Sequence, residues 1–168
     1  GFGYTNELPG PGLDGHVTTQ AMWGFCESQE TVSVSPGQFE ELVFPYQLPI
    51  MDRFGLNCYG CCEPLDLRWD VVKQFPRLRR VSVSPWSDLE GMAAKLTDQY
   101  IYSIKPNPAQ LAAPQIDEDA VRHSIRSAFE TTRECRVEII MKDNHTLRND
   151  PERATAWCRI AREEIERG

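Results

Sequence analysis

Cys58-Tyr-Gly-Cys61-Cys62-Glu63 places three thiols and a carboxylate within six residues, at the point where a short apolar run ends. Sulfur and carboxylate groups at that density are ligands for a soft metal ion or participants in thiol chemistry. Cys58 and Cys61 have the C-x-x-C step of a zinc knuckle or a redox pair, but no second C-x-x-C follows, so a complete metal site needs ligands from elsewhere. His145, in Met141-Lys-Asp-Asn-His-Thr146, is the best remote candidate, because it also follows a strand-like run, Val137-Glu-Ile-Ile-Met141. Two strand ends that carry ligands imply a shared active face.

Glycine before Cys61 and Glu-Pro after Cys62 put both thiols in a turn, where chemistry is more common than packing. Cys58, on the strand itself, reads equally well as a core thiol. Cys26, Cys135 and Cys158 are expected to be ordinary buried thiols. Adjacent Cys61 and Cys62 suit a reducing compartment better than a disulfide framework, and a cytoplasmic location is expected. The net charge of −7, with only Arg77, Arg79 and Arg80 clustered, argues against nucleic acid and against an anionic membrane surface. No apolar run approaches the ~20 residues of a spanning helix. His16 reads as solvated and His123 as lying on the exposed side of a helix. Trp23 and Trp86 could stack on a flat ligand or pack in the core.

These residues need a scaffold, and the chain punctuates itself. Residues 1–20 are rich in glycine and proline and read as a loop or entering segment. Thereafter strand-like runs reach a polar residue and a proline: Thr31-Val-Ser-Val34 into Ser35-Pro36, Arg80-Val-Ser-Val83 into Ser84-Pro85, and Tyr100-Ile-Tyr-Ser-Ile104 into Asn107-Pro108. A polar side chain caps free amide groups, and proline at the first helical position loses no hydrogen bond. Ser35 with Gln38, Ser87 with Glu90 and Asn107 with Gln110 have capping-box spacing. Strands are expected near 21–26 or 31–34, 55–59, 79–83, 100–104 and 136–141. Helices are expected after Pro36, broken or kinked by Pro45 and Pro49, and over 66–75, from Asp117, and from Asp150-Pro151 to the end. Alternating strands and helices predict an α/β fold with a parallel sheet, whose ligands bind beyond the carboxyl ends of the strands. Glu63, Trp86, Lys105, Asn107, Lys142 and Asp143 fall on that face with the cysteines and His145. Neither a G-x-G-x-x-G nor a G-x-x-x-x-G-K-[ST] loop is present, which weakens a nucleotide-binding reading.

Ser35-Pro-Gly-Gln-Phe39, Phe44-Pro-Tyr46, Tyr59-Gly-Cys-Cys-Glu-Pro-Leu65, Arg79-Arg-Val-Ser-Val-Ser-Pro-Trp86, Lys105-Pro-Asn-Pro108 and Lys142-Asp-Asn-His-Thr146, taken in order, resemble the uroporphyrinogen decarboxylase-like superfamily, on its corrinoid-dependent methyltransferase side. The resemblance spans roughly residues 20 to 167 and implies the C-terminal half of a TIM-type (β/α)8 barrel. A whole barrel needs ~250 residues, so residues 1–168 are expected to form one partial domain, a fragment that pairs with an N-terminal half or with itself through its strand edges.

In the methyltransferases of that superfamily, zinc held by a His-x-Cys motif and a later cysteine keeps a thiol substrate as a nucleophile, which takes a methyl group from a methylcorrinoid. Laid on that pattern, Cys61 stands at the motif's cysteine and His145 near the later ligand, while Tyr59 stands where the pattern has histidine. The implied ligands are Cys61, His145 and Cys62, with Glu63 or Cys58 as a substitute. Glu63, Lys142 and Asp143 are the implied catalytic groups, and Trp86, Lys105 and Asn107 the implied contacts of a corrinoid that a partner protein carries. The alternatives are a metal-free decarboxylase acting on a porphyrinogen-like substrate and a non-catalytic metal-binding or scaffold module.

Overall fold

A computed structural model describes residues 17–167, so most of the glycine-rich start, His16 included, lies outside the described residues. Five strands form one sheet: β1 Trp23–Cys26, β2 Leu56–Tyr59, β3 Leu78–Val83, β4 Ile101–Ile104 and β5 Arg136–Ile139. Their spatial order equals their order in the chain, and every neighbouring pair is parallel. Seven helices lie between and after them: α1 Pro36–Leu42, α2 Phe44–Met51, α3 Trp69–Val72, α4 Leu89–Leu96, α5 Ala109–Ala112, α6 Glu118–Thr131 and α7 Glu152–Arg167. The result is the expected α/β arrangement. Crossovers between parallel strands are right-handed, so a sheet built strictly in sequence order receives its helices on one face.

That face holds the main core. Tyr59, Val81, Val83, Tyr102 and Ile104, alternate residues of three strands, are buried with Phe39, Met51, Leu65, Met92 and Leu96 from the helical layer and its loops. Tyr59 stacks on Phe75 with ring centroids 4.9 Å apart. A second cluster, Leu111, Val121, Ile125, Trp157 and Ile160, ties α5, α6 and α7 together.

Several local signals act as their chemistry dictates. Ser35 and Gln38 form a reciprocal capping box at the start of α1. Asp117 caps α6 by accepting from the Ala120 amide at 2.9 Å. The proline-rich stretch breaks at Val43 into α1 and α2, and Pro49 lies within α2.

Others yield to competition. Thr31-Val-Ser-Val34 is not a strand but follows a short 3-10 turn, Gln29–Thr31. The Arg68 guanidinium bonds the carbonyls of Thr31 and Val34, so these groups are satisfied without a ladder. The edge position beside β2 belongs instead to Trp23–Cys26. Asp88, not Ser87, caps α4, accepting from the Gly91 amide at 3.0 Å, because the Asp88 amide is itself anchored on the Asp66 carboxylate at 2.9 Å. Asn107 accepts from the Ala109 amide rather than making a box with Gln110, and α5 is a single turn. Of the expected helix over 66–75 only Trp69–Val72 is α-helical.

From β3 to β5 the opposite face is polar. Arg80 and Ser82 alternate with Val81 and Val83 on β3, Ser103 and Lys105 with Tyr102 and Ile104 at β4, and Glu138 with Val137 and Ile139 on β5. Arg80, Ser82, Ser103 and Lys105 are nevertheless buried. Their burial is explained by curvature, since contacts cross this face between strands that are not neighbours.

Candidate active site

In a flat sheet β2 and β5 would lie about 14 Å apart, three strand spacings. The loops that leave them touch: Lys142 Nζ donates to Cys61 Sγ at 2.8 Å, and the Cys62 thiol donates to the Asp143 carboxylate. The sheet is therefore strongly curved, with its carboxyl ends drawn together over the polar face. Both expected strand ends meet.

Gly60 makes the first turn possible. Its φ is +97°, and a Cβ there would stand 2.9 Å from Leu65 Cδ1 and 3.2 Å from the Ser82 carbonyl oxygen. Its amide continues the β2 pairing by donating to the Cys26 carbonyl at 2.9 Å, and the next residues are freed from the sheet. Glu63 then clamps the loop: fully buried, its carboxylate accepts from the Cys61 amide at 2.8 Å and from the Ser28 amide at 2.9 Å. Ser82 Oγ–H donates to the Cys61 carbonyl at 2.9 Å. Cys61 is fixed from three sides.

The two thiols stand 3.8 Å apart and have different partners. Cys62 is pushed up to about 12 by burial and by its hydrogen bond to Asp143, so it is a neutral thiol donor. Cys61 receives an ammonium hydrogen bond instead. Burial pulls the Lys142 ammonium down, but its bond to Cys61 and its nearness to Cys62 outweigh that, and it ends above the ordinary lysine value. Lys142 Nζ also lies 3.7 Å from Asp143 Oδ2.

Beneath this group the curved face encloses a cavity of 130 Å³, lined by Trp23, Phe25, Cys58, Arg80, Lys105 and Lys142 among others. Arg80 sits over the Trp23 ring at 5.0 Å and pairs with Glu138 at 2.8 Å. Glu138 accepts from Ser103, and Ser103 in turn receives a bond from Lys105. Desolvation brings Lys105 down to about 8, against the pull of Glu138. Burial pushes Cys58 up to about 11, despite nearby Arg80 and Lys105. Three cationic side chains and no carboxylate are among the lining residues, which favours an anionic ligand.

The remaining expected residues lie apart from this cluster. Trp86 is 67% exposed. Asn107 serves the start of α5. His145 is exposed on the loop after β5, its amide bonded to the Asp143 carbonyl at 3.0 Å. Among the other cysteines, Cys158 is exposed, not buried, because its place on α7 faces away from the second core. Cys26 and Cys135 are half-buried, and His123 is exposed as expected. Arg80, Glu138 and Ser103 are not among the site residues expected from the sequence, although each is a polar residue alternating with apolar ones in a strand.

The ligands for zinc, the metal implied by the resemblance, are only partly brought together in this arrangement. The Cys61 and Cys62 sulfurs are together, but His145 is exposed, and the ammonium of Lys142 occupies the place of a cation beside Cys61. Among the described residues no group of three or more His, Cys, Asp or Glu side chains is placed to hold a metal ion. Nor is any of the described helices long and apolar enough to cross a membrane. No family model, curated protein or solved structure matches the chain.

Proposed function

We propose that the chain is the C-terminal half of a (β/α)8-type barrel enzyme, of the uroporphyrinogen decarboxylase-like kind, in which Cys61 is the nucleophile for transfer of a methyl or similar small group. One observation carries the reading: the 2.8 Å contact between Cys61 Sγ and the Nζ of Lys142, a residue that itself lines the cationic cavity. A reactive cysteine acts as thiolate, and an adjacent ammonium is the environment in which that form persists. The cavity cations hold an anionic substrate with its electrophilic carbon toward Cys61. A bond forms from sulfur to that carbon as the bond to the leaving group breaks, and the leaving group departs with the electron pair. Cys62, a neutral thiol on Asp143, does not compete.

The test is alkylation by iodoacetamide with peptide mapping near neutral pH. Cys61 is expected to react ahead of the exposed Cys158, and Lys142→Ala should slow Cys61 roughly tenfold while leaving Cys158 unchanged. Equal rates for the two cysteines, or a Lys142→Ala chain that keeps the lead of Cys61, would remove the proposal.

A second reading is methyl transfer through zinc, with the corrinoid carried by a partner protein. It is favoured by the sulfur separation of 3.8 Å, since ligands at about 2.3 Å from a tetrahedral zinc are themselves about 3.8 Å apart. It requires His145 to turn inward and Lys142 to leave. Metal content of freshly reduced protein decides it: about one zinc per chain, lost in Cys61→Ser, would replace the first reading by this one.

A further inference from the structure

The chain has four lysines, and only one of them is buried. Lys73 pairs with exposed Asp70 at 2.6 Å, and Lys95 donates to the Asp66 carbonyl at 2.8 Å. Lys142 is committed to Cys61. Lys105 directly follows β4 with its side chain in the concave cavity, in contact with Ser103 and beside the cations Arg80 and Lys142. In the thiol chemistry it only adds to the positive charge of the cavity and makes or breaks no bond.

We propose that Lys105 is a carbonyl-reactive amine that forms an imine with a small 2-oxo acid bound in this cavity. Three features converge on it. A lysine enclosed next to other cationic groups is held partly as the free amine, which is the nucleophilic form. The titration of Lys105 near 8 agrees with that placement. Arg80 and Lys142 supply the charge that a carboxylate requires, while Trp23, Phe25 and Ile140 form apolar wall. A volume of 130 Å³ admits a molecule of a few heavy atoms. A 2-oxo acid carries the carboxylate and the electrophilic carbonyl on adjacent carbons.

In the step itself the Nζ lone pair of Lys105 attacks the carbonyl carbon. A carbon–nitrogen bond forms, the carbon–oxygen bond then breaks, and the oxygen leaves as water with the two protons of the amine. No redox partner is needed. Ser103 touches Nζ and bonds Glu138, so a hydrogen-bonded path for those protons is in place. The imine nitrogen, once protonated, withdraws electrons from the neighbouring bond, which is the chemistry that promotes decarboxylation or carbon–carbon cleavage.

The experiment is incubation of the full chain with pyruvate and cyanoborohydride at about pH 7.5, followed by peptide mapping. At that pH a group titrating about 8 is the free amine on the order of a hundredfold more often than an ordinary lysine. The reduced adduct is therefore expected on Lys105 well before Lys73 and Lys95. Lys105→Arg should remove it, and Cys61→Ser should leave it intact, so loss of the thiol reading does not carry this one with it. Labelling spread evenly over the lysines, labelling of Lys142 with Lys105 untouched, or no adduct at all overturns the proposal. The map of the unaltered chain decides this even if Lys105→Arg fails to fold.

Discussion

Arg80 on β3 and Glu138 on β5 are two strands apart, yet Arg80 Nε and Glu138 Oε1 meet at 2.8 Å on the concave face of the sheet. Only 2% of the Arg80 side chain and 14% of the Glu138 side chain remain exposed, so this is an ion pair held largely out of water. Removing one partner leaves a charge that is costly to keep buried. Glu138→Ala should destabilise the chain by about 3–5 kcal/mol, and Glu138→Gln, which keeps a hydrogen-bond acceptor, by less. Arg80→Met combined with Glu138→Leu should recover most of that loss. Urea unfolding of the three variants checks the order. A Glu138→Ala chain as stable as the parent would mean that the pair does not shape the curved face.

Gly60 carries a different constraint. At a φ of +97°, with a Cβ that would meet Leu65 Cδ1 at 2.9 Å and the Ser82 carbonyl at 3.2 Å, alanine is opposed both by backbone conformation and by space. Gly60→Ala should cost about 1–3 kcal/mol. It should also disturb the loop that fixes Cys61, so the Cys61 alkylation rate is expected to fall toward that of Cys158. Gly37 is the control, because nothing lies within 4 Å of a Cβ built there. If Gly37→Ala and Gly60→Ala behave alike, the turn does not have the role assigned to it.

The edges of the sheet bear on assembly. At β5, an outer strand among the described residues, Val137 is 42% exposed. An outer parallel strand with apolar side chains is a template for another strand. The purified chain is expected to associate in a concentration-dependent way, read by sedimentation. Lysine at Val137 should weaken the association, and a monomer at all concentrations would show that the edges are protected.

Much of this fold could be read from residue pattern, for identifiable reasons. β2, β3 and β4 can be placed to within a few residues because their runs end at glycine or proline punctuation, β5 by the apolar run at 137–141 alone, and α6 by Asp117 and the spacing of Val121 and Ile125. The region around 31–34 misled because Val32 and Val34 alternate as a strand would. The carbonyls there are satisfied by Arg68, which comes 34 residues after Val34. The meeting of Cys61 and Cys62 with Lys142 and Asp143 was legible as two strand ends on one face. Their pairing was not, because it depends on how far the sheet curls. Arg80 and Glu138 were hidden for the same reason: a polar residue alternating on a strand normally faces water, and only curvature turns that face inward.

The buried groups of the concave face also set how stability responds to pH. Lys105 titrates about 8 in the folded chain against 10.5 when exposed, so between these values the unfolded chain binds more protons. Stability must therefore rise with pH through this window, at most about 1.4 kcal/mol per pH unit. The cysteines act in the opposite sense. Cys58 moves from 9.0 to about 11 and Cys62 from 9.0 to about 12, so above 9.0 the folded chain holds protons that the unfolded chain has lost, and stability falls. The sum is a rise from about 8 to 9.0, followed by a decline once the thiols of the unfolded chain ionise. Urea midpoints measured across this range, under reducing conditions, should show that maximum. Lys105→Met should abolish the rise and leave the decline. Persistence of the rise in Lys105→Met would mean that another group produces it, and that Lys105 is not the desolvated amine of the cavity.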